Sequence, residues 1–149
     1  MIKLNSPYIH AIFCDDVRTE IGGKLSLMGI YQGSLQISAA AFPVVIPKIC
    51  AVVEARTPAT SPLEKLHIKV LLDETILAEE DFSSDQLASL KSDDTSQYAT
   101  AGIIFSIQPF VVSKSGILRV RAETADGEIG VGGIKVNLSS TENPLIAVV

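Results

Sequence analysis

Apolar residues recur at every second position in this chain, and that period restricts the fold more than any other feature. Leu66, Ile68, Val70 and Leu72 alternate with His67, Lys69, Leu71 and Asp73. Side chains of an extended strand point alternately to opposite faces, so this spacing turns one apolar row to a core and the other row to solvent. Leu118, Val120 and Ala122 alternate with Arg119, Arg121 and Glu123 in the same manner. Asp126-Gly127 follows with the turn chemistry of a tight hairpin, because both residues tolerate a positive φ. On the returning strand Ile129 and Val131 share one parity, and Ile134, Val136 and Leu138 share the other. Gly132-Gly133 stands at the change, which predicts a β-bulge that keeps both apolar sets on the core side.

Further strands are expected over residues 8–14, 24–31, 48–56, 75–80 and 98–108. Residues 49–53 are apolar on both parities, the pattern of a strand in the middle of a sheet. Asp73-Glu74 supplies the turn of a second hairpin. One short helix is expected near residues 84–91, with Ser84 or Asp85 as its N-cap and Leu87 and Leu90 facing inward. About eight short strands with hardly any helix indicate an all-β fold. The expected architecture is a single-domain two-sheet antiparallel sandwich of immunoglobulin-like type over residues 1–149, with a closed barrel as the alternative. A chain of 149 residues can bury one continuous core. With no Trp in the sequence, that core must rest on Ile, Leu, Val and Ala.

The formal net charge is -5. An acidic domain gains nothing from counterion release on a phosphate backbone, which points away from nucleic acid as a partner. Anionic membrane surfaces are disfavoured on the same ground. The N-terminal residues lack the apolar run of a signal peptide. The apolar stretch 37–53 is broken by Pro43, Pro47 and Lys48, so the expected location is cytoplasmic. Cys14 and Cys50 both lie in apolar runs and read as reduced core thiols.

Chemical signatures are absent one after another. His10 and Cys14 would pair on a helix, but on a strand that spacing is about 13 Å, too far for one metal ion. Gly130-Val131-Gly132-Gly133 begins like a dinucleotide loop, yet Lys135 stands where a third Gly is required. No nucleophile elbow is present, and neither His has an assignable catalytic partner. Cys14 is followed by Asp15, Asp16 and Arg18. Carboxylates beside a thiol raise its pKa and oppose thiolate chemistry, and Arg18 is expected to pair with Asp15 or Asp16. The sequence therefore assigns no catalytic residue, no cofactor and no metal, and leaves the question of a small-molecule ligand open.

The run Ala11-Ile12-Phe13-Cys14-Asp15-Asp16-Val17-Arg18, followed by Gly22-Gly23-Lys24-Leu25-Ser26-Leu27-Met28-Gly29-Ile30-Tyr31, resembles a family of small bacterial and phage-associated proteins known only as a domain of unknown function. Phe42-Pro43, residues 46–50, 63–66 and 115–121 and the Asp126-Gly127 hairpin extend the resemblance over most of the chain. It implies a small, mostly β protein without assigned activity, and it brings no catalytic residue with it.

Two function classes follow. The first is a non-enzymatic sandwich module acting through protein–protein contact or self-association, with the apolar segments 39–47 and 144–149 as surfaces. The second is a small-ligand or divalent-cation binder. If every connection reverses the chain, one end of the sandwich collects an acidic loop rim holding Asp15, Asp16, Glu20, Glu64, Asp81, Asp85, Asp93, Asp94, Asp126 and Glu128. Asp15, Asp16, Arg18 and Asp126 are the candidate surface residues.

Overall fold

The computed structural model describes residues 7–90, 97–138 and 147–149. Eleven strands and one short helix follow one another: β1 (Tyr8–Thr19), β2 (Leu25–Ile30), β3 (Ser34–Ile37), β4 (Val44–Ile46), β5 (Ile49–Pro58), β6 (Leu66–Leu72), β7 (Thr75–Phe82), α1 (Ser84–Ala88), β8 (Tyr98–Ile107), β9 (Phe110–Val112), β10 (Gly116–Thr124) and β11 (Gly127–Leu138). The protein is all-β, as the period of two requires.

A four-stranded sheet has the order β2-β1-β5-β8, and a five-stranded sheet has the order β3-β11-β10-β6-β7. Their inner faces share one hydrophobic cluster. Phe13, Ala51, Val53 and Phe105 come from the first sheet, and Ile68, Val70, Leu118, Val120 and Ile134 from the second. Each fully buried Leu, Val or Ile adds about 1.5–3 kcal/mol relative to exposure, so the alternation read from the sequence is what drives the sheets together. Leu87 of α1 is buried under the edge of this core. The helix is capped by Ser83 and not by Ser84 or Asp85: the Ser83 side chain accepts from Gln86 N–H, while the Gln86 side chain accepts from Ser83 N–H. It ends at Ala88, and Lys91 lies outside the described residues.

Two details depart from a purely antiparallel pair of sheets. β3 pairs with β11 in parallel, with Leu35 opposite Val136. A small third sheet joins β4 to β9, with Val45 opposite Val111. The strand order does not match the immunoglobulin sheet either, which sets its second strand between the first and fifth, whereas β1 lies between β2 and β5. The bulge forms where the parity changes: Val120 faces Gly132 and Arg121 faces Gly130, which leaves Val131 as the extra residue. Ile129 and Val131 then pack against the core from one side of the shift, and Ile134 and Val136 are buried on the other. The 39–47 segment is partly used within the chain, because Phe42, Val44 and Ile46 pack on the core while Val45 stays exposed.

Candidate functional site

β1 runs on through Asp15, Asp16 and Arg18 to Thr19, so these residues lie on a strand and not in a loop. Neighbouring residues of a strand face opposite ways. Asp15 turns to the inner side of the sheet margin, where Tyr31 Oη–H donates to Asp15 Oδ1. Asp16 turns to the outer face, where Lys48 Nζ sits 2.5 Å from Asp16 Oδ1, and the same oxygen accepts from Val17 N–H at 2.9 Å. The two adjacent carboxylates therefore cannot close on one cation together. Arg18 bonds to Glu20 at 2.7 Å, not to Asp15 or Asp16, and Ser26 Oγ donates to the same Glu20 oxygen at 2.9 Å.

This geometry accounts for the distinctive N-terminal run. Gly22 (φ 84°) and Gly23 (φ 75°) form the β1–β2 turn in the left-handed region. Gly29 (φ 69°) lies where a Cβ would overlap the Asp15 carboxylate, so the absent side chain gives Asp15 its place. Tyr31 reaches Asp15 from the diagonal cross-strand position, a distance suited to an aromatic side chain. Lys48 follows only once the β1–β5 register is known: continuing the Cys14–Cys50 pairing by two residues sets Lys48 opposite Asp16. Tyr31 likewise carried no signal before the β1–β2 register was known.

Cys14 and Cys50 stand directly opposite each other on β1 and β5, both buried with free thiols. They lie outside the central cluster, on the outer side of the four-stranded sheet. Burial, then Cys50 and Asp15 nearby, push the Cys14 thiol up to about 11. At neutral pH it is protonated and is no nucleophile. Burial, and then its bond to Asp15, hold the Tyr31 hydroxyl above the ordinary tyrosine value. The hydroxyl stays a donor to the carboxylate. The cluster is thus built for fixed hydrogen bonds.

Asp126 is far from these residues. It sits in the β10–β11 turn, beside a cleft lined by Pro7, Pro58, Glu64 and Thr124. Pro7 immediately precedes β1, and Asp15 lies eight residues further along the chain, about 26 Å away. The expected acidic rim is therefore divided between the two ends, with Asp93 and Asp94 outside the described residues. The short strand β3 is the reason: it adds one crossing between β2 and β5, so the β1–β2 turn falls at the end opposite Asp126. Among the described residues no group of three or more His, Cys, Asp or Glu is placed to hold a metal ion.

The outer faces differ. On the five-stranded sheet His67 contacts Glu79 (2.9 Å) and Asp81 (3.3 Å), Lys65 contacts Glu123 (2.8 Å), and Arg119 bridges Glu74 and the Asp73 carbonyl (2.9 Å). A shallow trough of about 490 Å³ runs beside Arg119 and Arg121 over Gly130, Gly132 and Gly133. Arg121 Nη1 lies 3.4 Å from Glu128, so both guanidinium groups already face carboxylates. On the four-stranded sheet the corresponding surface is apolar at its centre, between the Arg56–Glu54 pair (2.8 Å) and the Lys48–Asp16 pair. Ile12, Val52 and Ile104 lie in one cross-strand row, beside Ile30 (46% exposed) and Met28 (45%), and Ile104 itself is 41% exposed.

The model of a family of unknown function, DUF6941, matches residues 9–137, a span from the second residue of β1 to the penultimate residue of β11. The chain belongs to DUF6941. The expected kinship to a family without assigned activity is thereby shown, and DUF6941 membership assigns no role to any residue. Among curated proteins none matches the chain. No described helix is long and apolar enough to cross a membrane.

Proposed function

We propose that this DUF6941 protein is a non-enzymatic β module that acts through protein–protein contact, self-association included. The observation that carries the reading is the outer face of the four-stranded sheet. The solvent side of an antiparallel sheet is ordinarily polar, yet here Ile12, Val52 and Ile104 form a row with Ile30 and Met28 beside it. Exposed apolar area of this kind, rimmed by Asp16, Lys48 and Glu54, is the usual mark of a contact surface. The locked hydrogen bonds of Asp15 and Asp16 support the same reading, since neither carboxylate is left for a cation or substrate without breaking a pair. The two free, buried thiols suit a reducing compartment, and we place the protein in the cytoplasm on that ground.

Static light scattering tests this reading through the second virial coefficient in about 0.15 M salt, where charge repulsion is largely screened. The expected wild-type value is negative. The triple variant Met28→Thr, Ile30→Thr, Ile104→Thr should turn it positive at an unchanged melting temperature. A positive wild-type value, the behaviour of an inert acidic domain, overturns the proposal.

A further inference from the structure

We infer that β8 is a pairing edge for a second copy of this chain, two β8 strands joining antiparallel to make one continuous sheet. The inference rests on the contact-module reading and adds to it a definite surface and occupant.

Each sheet edge bears its own unpaired backbone groups, and folded proteins guard such edges with charges, bulges, irregular glycines or shortness. β2 has six residues and holds Gly29 at φ 69°. β3 has four residues. β7 carries Glu79, Glu80 and Asp81 in succession, and its pairing with β6 shifts register between Val70 and Leu71. β8 has none of these devices. It is ten residues long, contains no charged residue and no proline, and pairs with β5 without a break from Ile49–Ile107 to Pro58–Tyr98.

The direction of its free groups follows from the register. Tyr31 N–H donates to the Phe13 carbonyl at 2.9 Å, so Phe13 turns its backbone groups toward β2. Alternation along an antiparallel ladder then turns those of Cys14 toward β5, and those of Cys50 back toward β1. Ala51 and Val53 face β8, where they meet Phe105 and Ile103. Thr100, Gly102, Ile104 and Ser106 therefore direct their N–H and C=O groups to the far side. Among the described residues no strand is hydrogen-bonded there, although β7, the edge of the other sheet, approaches β8.

Charge selects the occupant. Two copies of a chain with net charge -5 repel wherever their acids meet. β8 against β8 is a pairing in which no register sets like charges opposite, because the strand holds none. The pairing would also prolong the row Ile12, Val52, Ile104 from one copy into the next, since Ile104 is its outermost member.

The test is sedimentation across a dilution series, joined to amide hydrogen exchange. The expected result is a reversible dimer in which the amides of Thr100, Gly102, Ile104 and Ser106 gain protection as concentration rises. Gly102→Pro removes one outward N–H, and Gly102→Glu puts a carboxylate at the middle of the edge. A Cβ at Gly102 meets only the Val53 carbonyl at 3.7 Å, so both variants should keep the fold, and both should weaken the dimer at least tenfold. Met28→Lys should leave it unchanged. A strict monomer overturns the inference, as does protection of those four amides that is independent of concentration. A dimer that survives both Gly102 variants but is lost in Met28→Lys also overturns it, while leaving the contact-module reading in place.

Discussion

The outer faces of the two sheets are opposite solutions to the same problem. On the five-stranded sheet most outward side chains of β6 and β10 are charged, with Leu71 and Ile117 as apolar exceptions, and several are paired: His67 between Glu79 and Asp81, Glu123 with Lys65, Arg119 on Glu74. On the four-stranded sheet the outward row at the same depth is Ile12, Val52 and Ile104. Both sheets bury equally regular inner faces in one core, so folding does not demand the difference. Water satisfies a charged face without a partner, whereas an apolar face is stabilised only by something that covers it. The contrast is therefore what the proposed contact reading rests on.

The largest effect should come from the inner faces that the two sheets share. Leu118→Ala, at a fully buried position beside half-buried Arg119, should cost ~2–5 kcal/mol by urea denaturation. A loss below that range would mean the sheets are not held by one core, and the comparison of their outer faces would lose its basis. Next comes the margin where the four-stranded sheet keeps its polar chemistry. Gly29→Ala imposes a left-handed backbone on a residue with a Cβ and overlaps the Asp15 carboxylate, with an expected cost of ~2–3 kcal/mol. In an Asp15→Ala background only the backbone part should remain, about 1 kcal/mol. Additive costs in that double-mutant cycle would refute the fit of Asp15 over Gly29.

Acid should act more weakly, and in the same direction on both faces. The Lys65 hydrogen bond holds Glu123 below the ordinary carboxylate value, and the Lys48 hydrogen bond does the same for Asp16. A carboxylate with a lowered folded pKa binds fewer protons folded than unfolded. Its contribution is complete above about pH 5 and is lost as pH falls through the folded value. Urea midpoints followed into acid should drop less steeply for Lys65→Met than for wild type, and a parallel drop would remove Glu123 from the account. The smallest effect belongs to the apolar face: Ile104→Thr should change stability by no more than ~0.5 kcal/mol. A cost of several kcal/mol would show that Ile104 serves the core and would erase the contrast.

What could be read from the sequence divides along physical lines. β6, β10 and the hairpin into β11 were legible because the alternation there is uninterrupted, and the bulge was legible because a parity change beside Gly132-Gly133 has few other causes. The central place of β5 followed from residues 49–53 being apolar on both faces, the outer one belonging to the apolar patch. β1 was cut short at Cys14 because Asp15 and Asp16 are poor strand formers by propensity, and only Tyr31 and Lys48, which lie just after β2 and just before β5, make their places favourable. β3, β4 and β9 are three or four residues long, too short for any period to be seen. Missing β3 moved the β1–β2 turn to the wrong end and joined Asp126 to Asp15 and Asp16 on one rim. The surface candidates were thus legible as residues but not as a constellation, since one unseen strand decides which end of the molecule each occupies.

The parallel pairing of β3 with β11 has a consequence for synthesis. Leu35 and its partner Val136 are separated by about a hundred residues, which a ribosome adds in about 5–20 s. Through that interval β1 and β2 can close their hairpin on their own, while Leu35 and Ile37, both buried in the finished protein, have no strand to lie against. The nascent chain must carry that apolar pair unsheltered until β11 emerges, so a strand made late completes the first third of the molecule.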